Sequence, residues 1–292
     1  MAEFQNKEAP AVNRKDEIRN LLSLTPEQMI MKAKGRLTIL DTLEQLHNNF
    51  AEEVFSEIVA NNDAGNPTRL ILPVGPTGQY PVLANMLNDK KVNLKNCFLF
   101  FMDEYCDDNG HVFPANHPLS FKGIMEKIFF SHLSRDCGLK KEQIVFPDHL
   151  NIRHLNDMIE NVGGIDTCYA GVGITGHLAF NEPEPGVSNS GPRLVYLNLA
   201  TITINAIRAH VGGNLTNFPG KAVTLGMKQI LGAKRIIIYC RNDVSGLDWA
   251  NTVLRLALFG RPGDDYPITY VRNKNYSIIT TKETAARPDF IL

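Results

Sequence analysis

The sequence lacks an apolar run of eighteen residues, an excess of either charge and a paired-cysteine pattern. Its formal net charge is −1 over 292 residues, so no basic stripe is offered to nucleic acid or to an anionic membrane surface. Without a long apolar run there is no transmembrane-helix candidate, and the polar, charged N-terminus does not read as a signal peptide. The five cysteines (Cys97, Cys106, Cys137, Cys168 and Cys240) are odd in number and scattered. They show neither metal-ligand spacing nor a disulfide framework, as in a reducing compartment. These absences predict a soluble, cytoplasmic protein with no metal, no cofactor and no nucleic-acid or membrane partner.

What is present is a large hydrophobic fraction, 43%, arranged as strands alternating with helices. Residues 1–24 are polar and read as a flexible or loosely docked leader. Residues 25–292 read as one domain. Thr25-Pro26-Glu27-Gln28 opens a helix, and a second helix is expected over about 38–61, from Leu40, Leu43, Leu46, Phe50, Val54 and Ile58. Buried strands follow at 69–74, 96–102, 166–173, 235–240 and 276–281, with helices between them. This pattern predicts an α/β fold of three layers, doubly wound, with a mostly parallel sheet and helices on both faces.

Three stretches carry chemistry. Gly75-Pro76-Thr77-Gly78 joins a strand to a helix, an arrangement that points free backbone N–H groups at an anion. The lysine of a nucleotide-hydrolysing loop is missing from it. Asp103-Glu104 ends a strand, where ligands bind in open α/β sheets. The run from Gly171 to Pro183 places three glycines before His177 and a carboxylate, Glu182, after it. Gly171-Val172-Gly173-Ile174-Thr175-Gly176 also matches the dinucleotide fingerprint, but Pro183 and Pro185 end any helix at once. No acidic residue lies about twenty positions on to hold a ribose.

Met102-Asp103-Glu104-Tyr105 and Gly171-Val172-Gly173-x-x-Gly176-His177-x-Ala179-Phe180-Asn181-Glu182-Pro183 resemble the glucosamine-6-phosphate deaminase/isomerase family. Asn205–Arg208 and Pro219–Gly226 extend the likeness, which runs from about residue 36 to 285. The related 6-phosphogluconolactonases share the fold with a less similar histidine segment. The resemblance implies an enzyme acting on a sugar phosphate, as a monomer or a homo-oligomer. It implies that Asp103 moves a proton between C2 and C1, that His177 opens the pyranose ring, and that Glu182 orients His177. It implies that Gly75, Thr77, Gly78, Arg208 and Lys221 hold the phosphate, with Glu104 and Gly173 also at the substrate.

Two departures stand out. Thr175 occupies the place of an aspartate that partners the histidine, which implies weaker ring opening; a general acid/base contribution is worth roughly 10²–10⁴-fold. Val74 and Pro76 replace donors of the family's phosphate loop, Pro76 because it has no N–H. The alternatives are a non-catalytic sugar-phosphate sensor and a phosphosugar lactonase or hydrolase on the same scaffold.

Overall fold

The computed structural model describes residues 13–242, 244 and 246–292. In chain order the strands are β1 (Leu37–Leu40), β2 (Thr68–Leu72), β3 (Cys97–Phe101), β4 (Asp103–Cys106), β5 (Ile144–Val145), β6 (Thr167–Gly171), β7 (Arg193–Tyr196), β8 (Lys221–Thr224), β9 (Arg235–Cys240) and β10 (Tyr276–Thr281). Seven of them form one sheet in the order β1-β10-β9-β6-β2-β3-β5, and every pairing in it is parallel.

Successive side chains of a strand point to opposite faces, and here both faces are apolar. Ile71, Phe100, Cys168, Ala170, Ile236, Ile238 and Ile278 enter one core. Their sequence neighbours Leu70, Leu99, Phe101, Tyr169, Ile237, Tyr239 and Ile279 enter the other. Helices cover each side. Leu43–Asp63 and Gln79–Asp89 pack on the second core through Phe50, Val54, Tyr80 and Leu83. Pro26–Ala33, Leu155–Asn161 and Ala250–Phe259 pack on the first through Met29, Leu155 and Leu254. A sheet buried on both faces explains why its strands read as continuous apolar runs.

The remaining strands, β4, β8 and β7, form a small antiparallel sheet. Only Met102 separates β3 from β4, so the chain passes from the large sheet to the small one at Asp103. The small sheet has its own core of Tyr105, Phe180, Val195, Leu197 and Ala222.

One expectation changes. The helix expected from Thr38 begins at Leu43, capped by Thr42, whose hydroxyl accepts from the Gln45 N–H at 3.1 Å. Leu37–Leu40 instead pairs with the open edge of β10, a use for which β-branched Thr38 and Ile39 are suited. Leu40 had matched the helical spacing by coincidence. Part of the leader, residues 1–12, lies outside the described residues. Its remainder docks: Lys15–Leu22 is helical, and Arg14, only 4% exposed, pairs with Asp265 at 2.5 Å and Glu17 at 2.9 Å. A buried arginine persists only when paired in this way. Among the described residues no helix is long and apolar enough to cross a membrane.

Candidate active site

From β2 the chain runs to β3 and β5 on one side, while β6, β9 and β10 lie on the other. Such a reversal leaves a crevice at the C-terminal ends of the strands. A cleft of about 730 Å³ opens there. Its walls are the segment after β2 (Pro73–Gly78), Asp103 and Tyr105, the segment after β6 (Gly171, Gly173 and His177), and Asn205 and Arg208. Gly171 backs directly onto the first of these segments: a Cβ on it would lie 2.9 Å from the Gly75 carbonyl oxygen.

Among the described residues, the loop after β2 leaves its N–H groups unpaired at a helix N-terminus. Gly78 caps the helix Gln79–Asp89 without any side-chain cap. Gln79 Nε2 donates to the Pro76 carbonyl at 2.5 Å, and the Tyr80 hydroxyl donates to the Pro73 carbonyl. The loop's carbonyls are thus tied back, while the N–H groups of Gly75, Thr77 and Gly78 donate to no acceptor among the described residues. Free N–H groups at a helix N-terminus bind phosphate well.

Asp103 is 7% exposed and lines the cleft. Burial, and secondarily the neighbouring Glu104 charge, push its carboxyl well above the usual carboxylate range. Glu104 does not line the cleft. Its side chain accepts from the Phe121 N–H at 2.8 Å, the Lys122 N–H at 2.9 Å and the Ser120 hydroxyl at 3.1 Å. It therefore caps the helix Phe121–Ile128 and faces away from the cleft; strand alternation sends neighbours to opposite sides.

His177 closes a tight turn in which its carbonyl accepts from the Gly173 N–H at 3.0 Å and Gly176 adopts φ +74°. A Cβ on Gly173 would lie 1.9 Å from His177 Nε2, so only glycine leaves room for the imidazole. Behind the ring, the Thr175 hydroxyl lies 2.8 Å from Nδ1 and donates to Glu182 Oε2 at 2.7 Å. The direct Nδ1–Oε2 separation is 3.3 Å, and the Thr201 hydroxyl stands 3.4 Å from Nδ1. A hydroxyl accepts as well as donates, so Thr175 links imidazole to carboxylate. Burial pushes the Glu182 carboxyl up, but the His177 charge and the hydrogen bonds of His177, Thr175 and Thr201 outweigh it and bring it to about 2. Asn181, fully buried, ties this segment to the residue just after β8 by donating to the Leu225 carbonyl at 2.9 Å.

Arg208 reaches the cleft from the helix Leu199–Arg208. Its guanidinium donates to Asn205 Oδ1 at 3.0 Å and lies 5.1 Å from the Trp249 ring centre, and Asn205 in turn donates to the Tyr105 hydroxyl at 3.0 Å. Lys221 is placed elsewhere: its ammonium donates to the Asp108 carbonyl at 2.5 Å and sits 5.3 Å from the Tyr196 ring centre, away from the cleft. It is a residue of β8 whose side chain is not among those lining the cleft. The cleft instead receives Arg241, one residue past β9, and His47 from the helix Leu43–Asp63. Sequence reading passed over both, although a cation just beyond a strand's C-terminal end was a usable signal.

No family model matches the chain. It is 31% identical over 265 residues to the glucosamine-6-phosphate deaminase of Parabacteroides distasonis, covering 86% of this chain and 90% of that one. It is 32% identical over 218 residues to that of Phocaeicola vulgatus, covering 70% and 77%. Among solved structures, a monomeric glucosamine-6-phosphate deaminase superposes with a TM-score of 0.74 at 23% identity, covering 86% of this chain and 98% of that one. A 6-phosphogluconolactonase from Shewanella baltica superposes with a TM-score of 0.59 at 16% identity, covering 84% and 97%. At these identities the structural matches speak to the fold.

Proposed function

The chain belongs to the glucosamine-6-phosphate deaminase family, and from that premise we propose that it converts glucosamine 6-phosphate into a ketose 6-phosphate and ammonia. The observation that carries this reading is the pairing, across one cleft, of a buried carboxylate with a raised pKa and a histidine held by a carboxylate. The phosphate sits on the Gly75–Gly78 loop and Arg208, whose planar guanidinium suits a phosphate. His177 protonates the ring oxygen while the C1 hydroxyl gives up its proton, the C1–O5 bond breaks and the pyranose opens to the aldehyde. Asp103 takes the proton from C2 while the aldehyde oxygen gains one, giving an enolamine, and then returns a proton to C1 as the C2 amine gives one up, leaving an imine at C2. Water adds to that imine, and the C–N bond breaks to give the ketose and ammonia. A base poised above the ordinary carboxylate range is better matched to this transfer near neutral pH.

Thr175 and Glu182 act through His177 as positioning residues. The threonine hydroxyl takes over part of the lost aspartate's task, because it accepts from the imidazole while donating to Glu182. Thr175→Val therefore lowers kcat about tenfold or more, as expected when a buried hydrogen-bonding group loses its partner, and leaves KM nearly unchanged. Thr175→Ser restores the rate. An equal loss in the serine variant would remove the hydroxyl from the account.

The reading is tested by offering the purified protein glucosamine 6-phosphate and 6-phosphogluconolactone side by side. Ammonia release from the first, without accelerated hydrolysis of the second, is the expected outcome. The opposite pattern would move the chain to lactone hydrolysis, for which a C1/C2 proton shuttle is unnecessary.

A further inference from the structure

We propose that His47 is an additional side chain of the anion subsite, donating from a protonated imidazole to a ligand phosphate oxygen. The inference rests on the subsite assigned above, but its test needs no turnover. His47 projects from the helix Leu43–Asp63 into the cleft beside the Gly75–Gly78 loop. Its ring occupies the space beside Gly78 at the end of that loop: a Cβ on Gly78 would fall 2.3 Å from Nδ1 and 2.4 Å from Cε1. The absence of a side chain at Gly78 is therefore what admits the imidazole to the helix N-terminus, where N–H groups wait for an anion.

Its Nε2 is buried and has no hydrogen-bond partner among the described residues. Leaving a buried polar atom unsatisfied is costly; the ring nitrogen nearest Gly78, and so placed toward the anion loop, is Nδ1. Of the charged groups lining the cleft, Arg241 and Arg208 are cationic and Asp103 is acidic. Arg241 approaches from the segment after β9, and Arg208 and His210 line the cleft from the helix Leu199–Arg208 and its end. The loop contributes no titratable group, and Glu44 on the same helix is exposed. Burial, and then the Arg241 charge, lower the His47 pKa to about 4, so the unliganded ring is neutral at pH 7. A dianion placed between His47 and Arg241 reverses that balance, since an opposite charge at close range favours the protonated ring. Phosphate binding thereby draws in a proton.

Nuclear magnetic resonance titration of the His47 ring, with and without inorganic sulfate, tests this directly. Sulfate stays a dianion throughout, so any change belongs to the protein, and chloride at equal ionic strength is the control. The ring is expected to titrate near 4 alone and to move up toward the ordinary imidazole range near 6.5 with sulfate. His47→Gln keeps a donor but cannot take a charge, and its dissociation constant for sulfate is expected to rise about tenfold. An unchanged midpoint in sulfate, or unchanged affinity in His47→Gln, overturns the inference. A protein that fails to release ammonia but shows both effects would contradict the proposed reaction and leave this inference standing.

Discussion

Asp103→Asn should lose turnover of glucosamine 6-phosphate by about 10²–10⁴-fold or more and at the same time melt higher at pH 7. The two effects have one origin. Asp103 is buried beside Glu104 with no hydrogen bond or ion pair to its carboxylate among the described side chains, and its pKa is raised first by burial and then by that neighbour. In the unfolded chain an aspartate titrates near 3.9. Between that value and the raised folded value, the folded state holds the proton more tightly. Stability therefore falls as pH rises through this window, and above it the fold carries an uncompensated buried charge. Asparagine removes that charge, and a gain of about 2–4 °C in Tm is the scale of 1 kcal/mol in a chain of this size. The gain should shrink as pH is lowered toward 4, where the wild-type carboxyl is protonated as well. The same shift sets the acid limb of kcat/KM in the wild type above the ordinary aspartate range. Calorimetric melting at pH 7 and pH 4, set beside turnover, checks both halves; a less stable Asp103→Asn at pH 7 would refute the strained-base account.

Gly173→Ala should be comparably damaging through geometry alone. The added methyl would stand 1.9 Å from His177 Nε2 and 2.0 Å from Cε1, far inside contact distance, so the imidazole must leave its position. Displacing it also breaks its contacts with Thr175 and Glu182. A loss of about 10²–10⁴-fold in kcat is expected, the range for a general acid/base group, with binding of inorganic phosphate unchanged because the Gly75–Gly78 loop is not involved. Loss of both activities together would show that the substitution disturbs the whole cleft and not His177.

The comparison of the two variants bears on what could be read before the fold was known. The cleft positions of Asp103 and the Gly75–Gly78 loop follow from the C-terminal ends of β3 and β2, and His177 and Glu182 come together because both belong to the one short segment after β6. Thr175 was legible as a missing acid, but its hydroxyl's bridging position between His177 and Glu182 depends on a turn closed by the Gly173 N–H. Thr201, Arg241 and His47 come from distant segments, and nothing in local spacing brings them together. Lys221 and Glu104 show the converse. Both belong to motifs that resemble the family's, yet one residue of strand alternation decides whether a side chain meets the cleft or a helix end. The seven-stranded sheet itself was readable from its apolar runs. Its edge strand β1 was not, because Leu40 and Leu43 fit a helical spacing that Thr42 interrupts.

The account stands most directly on proton transfer at C2, and one incubation of glucosamine 6-phosphate with the purified protein in heavy water measures it. The account predicts ammonia and a ketose 6-phosphate in equal amounts, loss of the C2 proton signal of the sugar, and solvent deuterium at C1 of the product. A bound sugar phosphate that keeps its C2 proton and releases no ammonia would contradict it.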